Sequence, residues 1–268
     1  MSDKLQKLKD VIAEMGSVAI AFSGGVDSTF LLKVAHDVLG ERALAVTATS
    51  ETYPEFQFEE SARIATEIGA RQIVVHTDEL DIPAFKDNPP DRCYHCKKEL
   101  FLKLREIADQ HGLRHVADGA NSDDLQDHRP GSRAAAELGV RSPLQSEGFT
   151  KADIRHWSKV LGLPTWDKPS FACLSSRFPY GTGITRDALH KVAAAEEFLR
   201  TEGFRQYRVR HHGSIARIEL PPEDIPKAAQ EDLRKRLLAR FKKIGYTYVA
   251  LDLQGFRSGS MNEVLGRE

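Results

Sequence analysis

The chain has 268 residues, 38 Lys plus Arg against 39 Asp plus Glu, a formal net charge of -1 and 41% hydrophobic residues. That length holds one large domain or two modest ones, and the near-zero charge supplies no general attraction to nucleic acid or to an anionic membrane. No apolar run approaches a membrane span, and Leu5, Leu8, Val11, Ile12 and Met15 recur at helical spacing among charges, which makes residues 1–15 an amphipathic helix and not a signal peptide; a cytoplasmic protein is expected.

Residues 18–22 form the short continuous apolar run of a strand buried on both faces. The run leads directly into Ser23, Gly24 and Gly25 and then into a helix over 26–39. Two glycines allow a tight turn and close backbone approach, Ser23 and Ser28 offer hydroxyls, and the helix points its positive end at the turn, so the segment is an anion cradle. It lacks the Gly-Lys-Ser/Thr ending of kinase and GTPase loops and the Gly-x-Gly-x-x-Gly spacing of dinucleotide folds. Further on, the pattern predicts strands over 43–48, 72–76 and 115–118 and helices over 53–68, 92–111 and 151–161. Such alternation predicts an α/β fold, a parallel sheet wound with helices on both faces, whose ligands bind beyond the carboxyl ends of the strands, where Ser23, Thr49 and Thr77 fall. The proline-rich stretch 162–169 suits a boundary, giving domains 1–165 and 166–268. In the second, a helix over 186–202 capped by Thr185, strands over 205–211 and 215–220, a helix over 222–244 and a strand over 246–253 predict a smaller α+β domain.

The run Ser23-Gly24-Gly25-Val26-Asp27-Ser28 resembles the pyrophosphate-binding loop (PP-loop) of the ATP pyrophosphatases, the group of GMP synthetase, NAD synthetase and the tRNA thiolases. Asp118-Gly119-Ala120-Asn121-Ser122-Asp123-Asp124 resembles the second motif of that group. The resemblance implies cleavage of ATP to AMP and pyrophosphate through an adenylated substrate. ATP is then expected at Ser23, Gly24, Gly25, Val26, Asp27, Ser28, Thr49, Asp118, Gly119, Asn121 and Asp123. Asp27, with Asp123 and Asp124, suits Mg²⁺ bridging the phosphates if these carboxylates converge, and Asp27 is expected to be catalytic.

Three cysteines, an odd number in a reducing compartment, argue for reactive or metal-binding thiols. Cys93 and Cys96 open a helix beside Arg92, His95, Lys97 and Lys98, a setting that favours thiolates. Cys173 lies in an irregular loop with Arg177. Three thiolates without a fourth suit a [4Fe–4S] cluster with one open iron; zinc completed by His95, His111 or His115, and a Cys-x-x-Cys redox pair, are the other readings.

Together with the glycine loop, residues 131–144 ending in Val140-Arg141-Ser142-Pro143-Leu144 and the stretch 172–182 resemble the LarE family over nearly the whole chain. That resemblance implies an ATP-dependent sulfur transferase that converts the carboxylates of pyridinium-3,5-biscarboxylic acid mononucleotide to thiocarboxylates during assembly of the nickel-pincer nucleotide, the cofactor of lactate racemase. One branch of the family has only the cysteine matching Cys173 and is implied to sacrifice its sulfur. Cys93 and Cys96 match the three-cysteine branch, implied to carry a sulfide on a [4Fe–4S] cluster. Cys173 is therefore expected to be catalytic and, with Cys93 and Cys96, a cluster ligand. Ser176, Arg177, Arg208 and Arg210 are expected at the anionic substrate, although Arg208 and Arg210, which share one strand face, equally suit a charged outer surface. Glu196 or Glu197 and Glu219 could line the same pocket or hold a metal, but a solvated surface role is the expectation for each. The resemblance also implies an external sulfur donor, nickel-insertion and lactate racemase maturation proteins as pathway neighbours, and a homo-oligomer. A tRNA thiolase is the main alternative, against which stand the balanced charge and the lack of a recognisable RNA-binding module.

Overall fold

In the computed structural model, β1 (Val18–Ala21), β2 (Ala43–Thr49), β3 (Arg71–His76) and β4 (His115–Ala117) lie in the order β3-β2-β1-β4 with every pair parallel. Residues 2–126, 130–257 and 259–265 are described, so Met1 of the expected amino-terminal helix lies outside them. Two units partition the chain: Met1–Glu79 with Asp91–Phe171, and Leu80–Pro90 with Ala172–Glu268.

β1 is buried along its whole length because helices cover both faces of the sheet. Val18 and Ile20 pack with Leu8 and Ile12 of the Ser2–Met15 helix, Phe30 of the Val26–Leu39 helix and Ile154 of the Lys151–Val160 helix. Ala19 and Ala21, pointing the other way, pack with Phe101 and Leu104 of the Arg92–Gln110 helix and Ala134 of the Pro130–Glu137 helix. The parallel, doubly covered sheet read from the strand–helix alternation is thus present. Three short helices fall outside the expected elements, Pro83–Lys86, Pro130–Glu137 and Pro143–Ser146. Each opens on a proline, whose fixed φ and missing N–H suit a first helical position, and that is the signal the sequence offers for them.

The second unit holds β5 (Arg208–His212), β6 (Ile215–Glu219) and β7 (Tyr248–Leu251) in that order, β5 antiparallel and β7 parallel to β6. The Arg186–Thr201 helix, capped by Thr185 through a 3.2 Å bond from the Ala188 amide, packs on β5, and the Glu231–Ile244 helix packs on β7. The continuous helix expected over 222–244 is interrupted. Pro222–Asp224 is a 3-10 turn, Ile225–Ala229 a short helix, and Gln230 is extended with ψ of 140°. A new helix then starts at Glu231 and Asp232, whose charges complement its amino-terminal dipole.

Candidate functional site

Gly24 adopts φ of +64°, and a Cβ there would stand 3.0 Å from Ser61 Cβ and 3.1 Å from Ser61 Cα. Both backbone conformation and space therefore require glycine. A Cβ on Gly119 would meet the Ser28 amide nitrogen at 3.0 Å and Asp27 Cβ at 3.3 Å, so the segment after β4 lies directly on the first turn of the Val26–Leu39 helix. The fold thus brings together two motifs that are far apart in the sequence.

Ser28 organises the loop from within. Its hydroxyl accepts from the Ser23 amide at 3.3 Å, donates to the Gly25 carbonyl at 3.3 Å, and lies 3.2 Å from the Ser23 hydroxyl. The loop carbonyls are held from outside: Tyr53 Oη donates to Ser23 O at 2.6 Å, and Lys168 Nζ to Gly24 O at 2.9 Å while pairing with Glu60 at 2.7 Å. Gly25, the N-cap, provides no side-chain cap, and first-turn amides have no acceptor within their own helix, which leaves these donors for an anion. Thr49 ends β2, and its carbonyl accepts from the Thr77 amide at 3.0 Å.

Asp27 pairs with Lys151 Nζ through Oδ2, while its Oδ1 is buried and has no hydrogen-bond partner among the described residues. Lys151 also donates its backbone amide to Asp123 Oδ2 at 2.8 Å, so this one residue joins Asp27 to the second motif. Asn121 is buried, with its side-chain oxygen accepting from the Asp123 amide at 3.0 Å, and Asp118 accepts from Ser142 at 2.8 Å and from the Ala120 amide at 3.2 Å. Asp118 and Asn121 therefore fix the turn on which Asp123 stands. Lys151, Lys168 and Tyr53 carry no signal in the sequence; the Lys151–Asp27 contact spans 124 residues and only folding creates it.

In the second unit Cys173 is half-buried, with φ of -55° and ψ of 153°, and leads into the 3-10 turn Leu174–Arg177. Its carbonyl accepts from the Ser176 amide at 3.0 Å, the Ser176 hydroxyl at 2.9 Å and Arg177 Nη1 at 3.0 Å. Arg177 is fully buried. Its Nη1 also donates to Ala172 O at 2.7 Å, while Nε and Nη2 form a fork on the two oxygens of buried Glu196, each at 2.8 Å. Glu196 Oε1 accepts a further bond from the Val209 amide at 2.9 Å, which ties the cysteine loop and β5 to the Arg186–Thr201 helix. Arg177 is expected at the substrate; in this structure its donors hold the backbone on either side of Cys173, and Ser176 likewise bonds within the loop.

Arg210 donates to Ser176 O at 2.8 Å, to Glu219 Oε2 at 2.7 Å and to Ser260 Oγ at 2.7 Å. Arg208 donates to Tyr207 O at 2.7 Å and lies 5.0 Å from the Phe256 ring centre. Burial, and next the charge of Arg177, pull the Arg208 guanidinium down to about 9. Both arginines are buried, which overturns the reading of them as a charged outer face. Glu196 and Glu219 are buried as well, against the surface position expected for them, because each neutralises an arginine that is itself out of water. Glu197 is at the surface, paired with Arg200 at 2.6 Å.

Cys93 and Cys96 lie three apart in the first turns of the Arg92–Gln110 helix, and so share a face, each half-buried. Cys96 Sγ is 4.0 Å from Glu79 Oε1, a buried carboxylate that also accepts from Thr77 Oγ1 at 2.8 Å. Within neither unit, among the described residues, do three His, Cys, Asp or Glu side chains gather as a metal site.

No family profile matches the chain. An uncharacterised protein of Synechocystis is 46% identical over 265 residues, 99% of each chain. Pyridinium-3,5-bisthiocarboxylic acid mononucleotide synthase of Lactiplantibacillus plantarum is 41% identical over 266 residues, 99% of this chain and 96% of that one. The chain belongs to the LarE family. A more distant relative, from the glutamine-hydrolysing GMP synthase of Archaeoglobus fulgidus, is 26% identical over 182 residues, 63% of this LarE-family chain and 56% of its own. The relationship to the LarE family therefore spans both units.

Proposed function

We propose that the chain adenylates the carboxylates of pyridinium-3,5-biscarboxylic acid mononucleotide with ATP and converts them to thiocarboxylates, a sulfur transfer in nickel-pincer nucleotide biosynthesis. The observation that carries this reading is the 41% identity, over 99% of the chain, to the Lactiplantibacillus synthase. The glycine loop with its uncapped helix amides supports the ATP half of the reaction.

In the first half-reaction a substrate carboxylate oxygen attacks the α-phosphorus of ATP, the bond from that phosphorus to the α,β-bridging oxygen breaks, and pyrophosphate leaves toward the amides of the Ser23 to Ser28 loop. Gly24 and Gly25 let the backbone approach the phosphates, Val26 opens the helix whose amides receive them, and Thr49, Asp118, Gly119, Asn121 and Asp123 complete the nucleotide site. Lys151, paired with Asp27, would bring its charge to the departing pyrophosphate. The buried, unpartnered Oδ1 of Asp27 fits a divalent cation, with Asp123 as the second carboxylate. Mg²⁺ bound there would offset the phosphate charge. In the second half-reaction a sulfur nucleophile attacks the acyl-adenylate carbonyl, the C–O bond to AMP breaks and AMP departs.

The two thiols of Cys93 and Cys96 on one helical face suit two ligands of a [4Fe–4S] cluster, with Cys173 as the third and as the catalytic cysteine. When bound, such a cluster would supply sulfide for the transfer, with Cys93, Cys96 and Cys173 holding it. Arg208 and Arg210 suit the substrate's anionic groups, with Arg177 and Ser176 holding the Cys173 loop beside them. An external sulfur donor, nickel-insertion and lactate racemase maturation proteins acting on the product, homo-oligomeric assembly and a cytoplasmic location belong to the same reading. No helix among the described residues is long and apolar enough to cross a membrane.

The experiment is pyrophosphate release from Mg-ATP by anaerobically prepared protein, with the mononucleotide or unmodified tRNA as acceptor. Release with the mononucleotide alone is expected; release with tRNA alone would make the chain a tRNA thiolase. Iron and acid-labile sulfide should approach about four of each per chain, the composition of one cluster. Both should be lost in Cys93→Ala, Cys96→Ala and Cys173→Ala, and a full complement in Cys173→Ala would remove that residue from the ligand set.

A further inference from the structure

The ATP loop occupies the carboxyl end of the parallel sheet, and at the amino ends of the same four strands lies an open cleft of about 360 Å³. Its wall is built from the residues that enter the strands: Ser17 before β1, Glu41 and Arg42 before β2, Arg71 at the start of β3, and His111 and Arg114 before β4. Parallel topology is the cause, since it gathers the entry points of strands distant in sequence at one end of the sheet.

Arg42, Arg71 and Arg114 are all exposed, and among the described residues their guanidinium groups make no ion pair or hydrogen bond, not even with neighbouring Glu41. Arg114 is fixed at its backbone, where its amide donates to Ser17 Oγ at 3.0 Å, and its Nη1 would be 3.6 Å from a Cβ on Gly16, so the guanidinium lies over the turn that enters β1.

Like charges brought together at a concave surface repel one another unless an anion is present. Guanidinium groups match the oxygens of phosphate in paired, forked hydrogen bonds. A cleft of this volume is of the size that receives a small molecule. A basic stripe along a face, as nucleic acid requires, is a different arrangement from three arginines around one hollow. The geometry points to this cleft as a second anion site, for a small phosphorylated molecule, separate from the ATP loop. The inference is independent of the sulfur-transfer reading.

Hydrogen–deuterium exchange with inorganic pyrophosphate as the probe tests it, because the two sites fall on different peptides. Protection is expected at residues 40–44 and 111–115 as well as at 23–28. In Arg71→Glu/Arg114→Glu the half-saturating pyrophosphate concentration for the 40–44 and 111–115 peptides should rise at least about tenfold, while that for 23–28 stays unchanged. These side chains are exposed, so the variant should melt with the wild type; Arg42→Glu provides an independent second variant. Protection confined to 23–28, or protection of the cleft peptides undiminished in both variants, would overturn the assignment.

Discussion

Replacing Asp27 by alanine is expected to lower ATP-dependent pyrophosphate release at least about a hundredfold, the order seen when one preorganised electrostatic group is removed from an active site. One carboxylate oxygen of Asp27 pairs with Lys151, and the other is buried with no hydrogen-bond partner among the described residues. A buried carboxylate oxygen without a partner is costly, and under the proposed reaction a cation on the phosphates would give it one. The structural cost of the change should be small. Asp27 is a first-turn acidic residue, whose interaction with the helix dipole contributes about 0.3–1 kcal/mol. Asp27→Asn keeps the shape and loses the charge, so it should resemble alanine in activity and the wild type in melting temperature. Undiminished pyrophosphate release in Asp27→Ala would take Asp27 out of the reaction.

Arg177→Ala should destabilise the protein by about 3–5 kcal/mol, because removal of one partner strands the other charge away from water. Glu196 would lose both arms of its fork, and the carbonyls of Ala172 and Cys173 would lose a shared donor. Arg177→Met combined with Glu196→Leu removes both charges and should recover much of that loss, since apolar pairs of similar size often replace buried ion pairs at little cost. Urea unfolding of the single and double variants measures this, and a loss below about 1 kcal/mol in Arg177→Ala would show the pair to be energetically idle. The double variant also separates stability from positioning. Once folded, it should differ from the wild type in the alkylation rate of Cys173, whose loop is no longer anchored; an unchanged rate would leave Arg177 with a purely structural part.

Much of the first unit is legible in the sequence because its determinants are local. A strand buried on both faces needs a continuous apolar run, as in residues 18–22, and a tight turn at an anion site needs a residue free to adopt positive φ, as Gly24 does. The cysteine count, the two PP-loop motifs and the resemblance that places the chain in the LarE family likewise depend only on the order of residues. Helix boundaries are close where a cap or glycine marks them. The break at Gln230 is marked only weakly, by Pro226 before it and by Glu231 and Asp232 after it, and a run of helix-compatible residues hides it.

What tertiary structure alone decides is which charges are buried and what they touch. Glu196 and Glu197 are adjacent and chemically identical, yet one is buried against Arg177 and the other is paired with Arg200 at the surface; the helix turns about 100° between them and only one direction meets the cysteine loop. Arg208, Arg210 and Glu219 reach the interior because the antiparallel register sets Arg208 opposite Glu219, with Arg210 near enough to pair with it. Lys151 meets Asp27 across 124 residues because the Lys151–Val160 and Val26–Leu39 helices, whose first turns carry them, pack against each other. Sequence names the groups that can be charged, but whether a charge stays in water depends on a partner that folding brings to it from elsewhere in the chain.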